Sequence, residues 1–254
     1  LLPPARVRPQ GGGVASIDDE AVFAAIIYVL VSGCAWRALP PCFGASKSTV
    51  HRRFVIWSRA GVWGRLHQKV LQLLDERDLV DLSRAVLDSA HVRITDRLRE
   101  RPPPHTNYAD TSRITRVQDS GSRPRRHGVN VQVVTDPGGR LLWLSPALPG
   151  RTHDLTAART HRIIRICERQ GVPIVADLAY QGAGPWLTTG IKRKPLQELT
   201  PTDRTRNRAL AAARAPVERG VARLKSWRIF RRSRCSPNRM TSMAKAVLTL
   251  ELQR

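Results

Sequence analysis

Two short apolar runs each end in an aspartate, Arg84-Ala-Val-Leu-Asp88 and Val172-Pro-Ile-Val-Ala-Asp177, and a lone glutamate follows in a basic stretch, Arg214-Ala-Pro-Val-Glu218. A buried strand gives its last residue to the rim of its sheet, so two such strands can present two carboxylates side by side. A helix packed nearby can deliver the third. Three converging carboxylates repel one another unless a divalent cation lies among them, and hard oxygen donors of this kind suit Mg2+ or Mn2+. Ions held this way activate an attacking oxygen and stabilise the leaving oxygen of a phosphodiester. The ordinary roles of the same residues are a strand or turn terminus for Asp88 and Asp177, and a solvated charge stripe with Arg214 and Lys225 for Glu218.

These residues sit in a chain of 254 residues with 43 Lys plus Arg against 20 Asp plus Glu, a formal charge of +23. A hydrophobic content of 41% is enough for a core, so disorder does not explain the charge. A field of this sign attracts polyanions and speeds encounter with nucleic acid. No apolar stretch approaches the roughly 20 residues needed to span a bilayer, and the run Ala21 to Val31 has acids before it where a signal peptide carries bases. The expected location is cytoplasmic and nucleoid-associated. The four cysteines are too scattered for a zinc knuckle or a disulfide framework.

The elements that must position the carboxylates follow from pattern. Residues 1–16 read as a flexible leader. Asp18-Asp19-Glu20 loads acid into the first turn of a helix that stops at Gly33. After a Pro- and Gly-rich turn, Ser46 or Ser48 caps a helix that turns Val50, Phe54, Ile56 and Trp57 inward and Lys47, His51, Arg52, Arg53 and Arg59 outward. With a third helix from about Val62 to Glu76, this is the outline of a helix-turn-helix unit over residues 17–80. From residue 83 onward the pattern is α/β. Gly128 to Thr135 alternates as a strand, Asp136 to Gly139 turns, and Arg140 to Leu144 returns as a hairpin. Thr152-His153-Asp154 opens a helix reaching Gln170, with Asp154 as its cap or in its first turn, and the strand ending at Asp177 follows. The remainder is helical, from Thr202 to about Trp227 with a break near Pro216, and from Asn238 to Leu252. Residues 201–254 carry 14 Lys plus Arg and 3 Asp plus Glu. The run Arg228, Arg231, Arg232 and Arg234 there suits a DNA backbone. The tryptophans, including Trp36, Trp57, Trp63 and Trp227, read as core, as does Tyr180.

The order strand, hairpin, helix, strand, helices, with acids on the first and fourth strands and a later helix, resembles the ribonuclease H-like fold, a mixed sheet with flanking helices. The motifs Leu87-Asp88-Ser89-Ala90-His91-Val92, Thr152-His153-Asp154, Ala176-Asp177-Leu-Ala-Tyr180-Gln-Gly182 and Arg214-x3-Glu218-x6-Lys225 resemble bacterial insertion-sequence DDE transposases, especially the insertion-sequence-five family. The resemblance covers about residues 17–92 and 127–252. It implies that Asp88, Asp177 and Glu218 form a catalytic triad holding Mg2+ or Mn2+ for nicking and strand transfer. Double-stranded DNA, as terminal repeats and target, is the implied partner, and a homodimer on DNA the implied assembly. Lys47, His51, Arg52 and Arg53 are the implied contacts of the N-terminal region; Arg214 and Lys225 line the site and grip phosphates.

Two departures stand against the family pattern. The related insertion-sequence-four signature has Tyr three residues before its Arg, where this chain has Ala211. Residues 93–126, with Pro102-Pro103-Pro104 and many arginines, show no period and read as a shifted frame or a degenerate insertion, which would leave this copy inactive although the triad survives. The rival functions are a helix-turn-helix regulator with a non-catalytic α/β domain and an RNA-binding protein acting by charge alone. Only the enzyme requires Asp88, Asp177 and Glu218 to cluster.

Overall fold

The computed structural model describes residues 2–3, 17–93, 116–117, 126–231 and 237–253. The expected leader, from residue 4, and most of the segment 93–126 lie outside the described residues.

The chain opens with three helices. α1 (Asp19–Ser32) buries Val22, Ala25, Ile26, Val29 and Leu30 and ends at Gly33, whose φ of 64° only glycine adopts freely. A Cβ there would also strike the Arg228 backbone, so the helix end doubles as a packing point. α2 (Lys47–Arg59) starts on Ser46, whose hydroxyl accepts from Thr49 N at 3.2 Å, and buries Val50, Phe54 and Trp57. Ile56, expected inward, is 43% exposed, because a helix this short buries one stripe and Ile56 falls beside it. α3 (Val62–Asp75) buries Val62, Trp63 and His67.

The sheet follows. β1 (Ala85–Arg93) lies between β3 (Arg126–Thr135), antiparallel, and β6 (Ile174–Ala176), parallel. β4 (Leu141–Leu144) and β5 (Leu148–Pro149) pair with β3, and β7 (Leu187–Thr188) extends the β6 edge. β3 and β4 form the expected hairpin, its turn closed by the Asp136 carboxylate accepting from Arg140 N at 2.7 Å. Within the segment expected to lack structure, β2 (Arg116–Val117) pairs with the start of β3. It is a correction to that expectation: pairing with an existing strand supplies the backbone bonds that the local sequence does not signal.

One face of the sheet carries Val86, Ala90, Val92, Val129, Val131 and Val133, covered by α6 (Pro201–Ser226), α7 (Arg228–Arg231) and α8 (Pro237–Glu251). The N-terminal helices join that same core. Thr249 Oγ1 of α8 donates to the Trp63 carbonyl at 3.0 Å, and His67 Nε2 of α3 donates to the Leu142 carbonyl at 2.8 Å. The opposite face carries Ala85, Leu87 and Val134 under α4 (Asp154–Thr160), α5 (Ile163–Arg169) and Tyr180.

Two helix expectations need correction. The single helix from 152 to 170 is split, with Arg162 at φ 55°. Buried Ala158 and Ile163 are five residues apart, out of phase with a 3.6-residue period, and the split lets both face the sheet. The helix expected to break near Pro216 is instead continuous. Its stripe Val217, Gly220, Val221 and Leu224 is buried against the sheet, and that packing offsets the backbone bond that Pro216 cannot donate.

Candidate active site

Pairing between β1 and β6 ends at Leu87 and Ala176, so the next residue on each chain, Asp88 and Asp177, stands at the point where the two parallel strands part. The expectation that these aspartates occupy neighbouring strands of one mixed sheet is met. Asp88 is not a strand end, however: β1 continues to Arg93 because β3 goes on pairing with it after β6 has stopped.

Each carboxylate has one oxygen anchored. Asp88 Oδ1 accepts from Ser89 N at 2.7 Å, and Asp177 Oδ1 accepts from Ala179 N at 2.9 Å in the turn that starts there. A further acid lies in the opposite layer, its charge acting on Asp88. Asp154, the first residue of α4, has its Oδ1 bound by Asn130 Nδ2 at 2.6 Å. Burial pushes the Asp88 carboxyl above the usual carboxylate range; the Ser89 N–H and the Arg214 guanidinium oppose this, and the charges of Asp177 and Asp154 reinforce it.

Arg214 of α6 leans over the pair, its Nη2 3.9 Å from Asp177 Oδ2 and its side chain 22% exposed. Its buried Nε has no hydrogen-bond partner among the described residues. Glu218, one turn further along α6, is exposed, and its charge is not among those acting on Asp88. Among the described residues no three His, Cys, Asp or Glu side chains are grouped closely enough to enclose a metal ion. The structure thus brings Asp88, Asp177 and Arg214 together and leaves Glu218 at the surface nearby.

Residues the sequence did not single out complete the site. Asn130 and Gln132, both fully buried, interrupt the valines of β3 on the face opposite Val129, Val131 and Val133. Tyr180 OH donates to Gln132 Oε1 at 2.7 Å, and Gln132 Nε2 donates to Asn130 Oδ1 at 2.8 Å. The signal was present: two amides in a strand covered on both faces must find partners. His91 is exposed, and His153 precedes α4 without capping it.

The residues expected to touch DNA divide. Lys47, Arg52, Lys225 and Arg228 are exposed. Arg53 is held by Asp19 at 2.7 Å. His51 packs against Trp36, ring centroids 5.3 Å apart, and its pKa is lowered by burial and by Arg239. The side chains of Arg231, Arg232 and Arg234 lie outside the described residues. Among the described residues no helix is long and apolar enough to cross a membrane.

Comparison with known proteins defines the class. Residues 111–251, more than half of the chain, match the family described as "DDE superfamily endonuclease", and the chain belongs to it. The match includes Asp154, Asp177 and Glu218, begins after Asp88, and takes in residues 111–126 of the segment that the sequence reading set outside the resemblance. Residues 1–67 match the family described as "Putative transposase of IS4/5 family". A relative from Burkholderia cepacia, "Insertion element IS402 uncharacterized 16.2 kDa protein", is 35% identical over 127 residues, covering 46% of this chain and 86% of the relative. The chain is therefore a member of the insertion-sequence DDE transposase family. No solved structure matches it significantly.

Proposed function

We propose that this protein nicks DNA at insertion-sequence ends and joins the freed 3′ end to target DNA, with Asp88, Asp177 and Glu218 as the carboxylates of a divalent cation site. The observation that carries the reading is the placement of Asp88 and Asp177 side by side where β1 and β6 part, with Arg214 above them. Their donor chemistry fits Mg2+ or Mn2+: each offers a carboxylate with one oxygen anchored by a backbone N–H, and the pKa of Asp88 is raised chiefly by burial, with a smaller contribution from the charge of Asp177. When bound, the cation neutralises phosphate charge and makes an attacking water or 3′-hydroxyl more acidic.

The protein's own residues do the rest. Asp88 and Asp177 would hold the cation, with Glu218, on the face of Arg214 one turn along α6, as the third carboxylate. Arg214, with a donor unspent at Nε, takes a non-bridging phosphate oxygen. The attacking oxygen forms its bond to phosphorus as the P–O3′ bond breaks, and the departing 3′ oxygen takes a proton from solvent. Exposed Lys47, Arg52, Lys225 and Arg228 bind the DNA backbone, and the helices of residues 17–80 read the terminal repeat. The family match over residues 111–126 favours an intact catalytic region over a frame-shifted copy.

The test is a nicking assay on terminal-repeat DNA, in Mg2+ and in chelator, with Asp88→Asn, Asp177→Asn and Glu218→Gln. Each substitution keeps size and removes charge, so cutting is expected to fall at least 100-fold while DNA binding persists. Full cutting by Glu218→Gln removes the third carboxylate from the assignment. A wild type that binds the repeat but cuts in no metal overturns the catalytic reading and leaves a degenerate family member or a DNA-binding regulator.

A further inference from the structure

We propose that the cavity between α2, α7 and α8 binds one unpaired nucleotide of a DNA strand, its base among Trp36, His51 and Phe54 and its phosphate on Arg59 and Arg239. The inference shares the DNA partner with the function proposed above but not the cation site, so its test is run in chelator.

The cavity has a volume of about 700 Å³ and lies where the N-terminal helices meet the last two helices of the chain. That size is ordinary for a small-ligand pocket. Phe54 and Ile229 line it and are buried, forming its floor. Trp36 and His51 are half-buried, with ring centroids 5.3 Å apart, and form an aromatic wall. Arg59 and Arg239 also line it and are exposed, which puts them at the mouth. An apolar, aromatic interior under two guanidinium groups complements a planar heterocycle with an anionic tail.

The folded chain does not spend these cations on itself. Among the described residues, neither Arg59 nor Arg239 has a hydrogen-bond or ion-pair partner. Arg239 stands in the first turn of α8, where a helix favours acids and this one has none. Burial, helped by the Arg239 charge, lowers the His51 pKa, so its ring is neutral and free to stack. No acid is found among the described lining residues, and an anion relieves this gathering of bases. Exposed Arg52 and Arg59 are seven residues apart on α2, two turns along one face and about 10 Å, so a strand tracked by the first reaches the second. A base stacked in a duplex cannot enter such a pocket, whereas an unpaired one offers its π-face whatever its identity.

The experiment uses the full chain in EDTA with two probes, a duplex ending in one unpaired 2-aminopurine and the same duplex blunt. Wild type is expected to bind the first about fivefold or more tightly than the second and to quench its fluorescence by stacking. Trp36→Leu keeps apolar volume and removes the stacking face; Arg239→Gln removes a phosphate contact at an exposed position. Each is expected to erase the preference, while exposed Arg169→Gln on the opposite layer keeps it. Equal affinity of wild type for both duplexes overturns the proposal, as does a preference intact in Trp36→Leu and Arg239→Gln. If adenosine monophosphate binds but the unpaired end gains nothing, the pocket takes free nucleotide and the DNA source is overturned. Should Trp36→Leu not fold, Arg59→Gln takes its place: loss of the preference supports the proposal, and its retention overturns it.

Discussion

Gly220 is where the packing of α6 controls the site. A Cβ built there would lie 2.7 Å from the Gly139 carbonyl oxygen and 3.1 Å from Thr135 Cγ2. The first contact is with the backbone of a hairpin turn, which cannot rotate away, and it is roughly 0.7 Å short of ordinary van der Waals contact. Gly220→Ala should therefore push α6 off the sheet by several tenths of an ångström. Arg214 lies six residues earlier on the same helix, about 9 Å along its axis, and would move with it. Overpacking costs about 1–3 kcal/mol, and alanine recovers about 1 kcal/mol over glycine in a helix, so the net loss is about 0–2 kcal/mol. Function should suffer more. A misplacement near 1 Å costs about 100-fold in rate, so nicking is expected to fall roughly 10- to 100-fold. The assay pairs thermal melts with single-turnover nicking in Mg2+. Gly64→Ala in α3 serves as control, since its Cβ meets nothing within 4 Å. Nicking within twofold of wild type in Gly220→Ala would show that α6 does not position reacting groups.

Two further outcomes are expected. Asp88→Asn should stabilise the protein in chelator at neutral pH while abolishing Mg2+-dependent nicking. Burial raises the folded-state pKa of Asp88, so this group's contribution is fully favourable below the unfolded value near 3.8 and is lost as pH rises through the higher folded value; the gain from Asn should be present at pH 7 and vanish near pH 3, and an Asp88→Asn protein less stable than wild type at pH 7 would contradict it. Tyr180→Phe strands the buried Gln132 Oε1 and should cost about 1–3 kcal/mol in denaturant titrations, against less than about 0.5 kcal/mol for Tyr28→Phe at a position 39% exposed; equal costs would mean that the buried hydroxyl is not holding Gln132.

What the sequence revealed and what it hid divide along one physical line. The rim carrying Asp88 and Asp177 was legible because burial on both faces of a parallel pair leaves an apolar run, and the run's end marks where burial stops. The true end of β1 was not legible. Ser89 and His91 break the apolarity, yet β3 keeps pairing as far as Arg93, and hydrogen bonding rather than side-chain polarity decides a strand's length. Pro216 misled for the same reason: its local cost is visible in sequence, whereas the burial of Val217, Gly220 and Val221 that offsets it belongs to the sheet beneath. The Tyr180–Gln132 bond spans 48 residues and follows no period, so only coordinates reveal it. Asp154 was read as a helix cap or a first-turn residue; it is the second, with His153 at the cap position, and its side chain is held by an amide on β3. The Arg214-to-Glu218 spacing placed both on one helix face without saying how close α6 brings either to the rim. Arg214 arrives at 3.9 Å from Asp177 with Glu218 exposed, so the cationic half of the motif is the half that reaches the rim. A guanidinium there opposes the rise that burial and the charges of Asp177 and Asp154 impose on the Asp88 carboxyl.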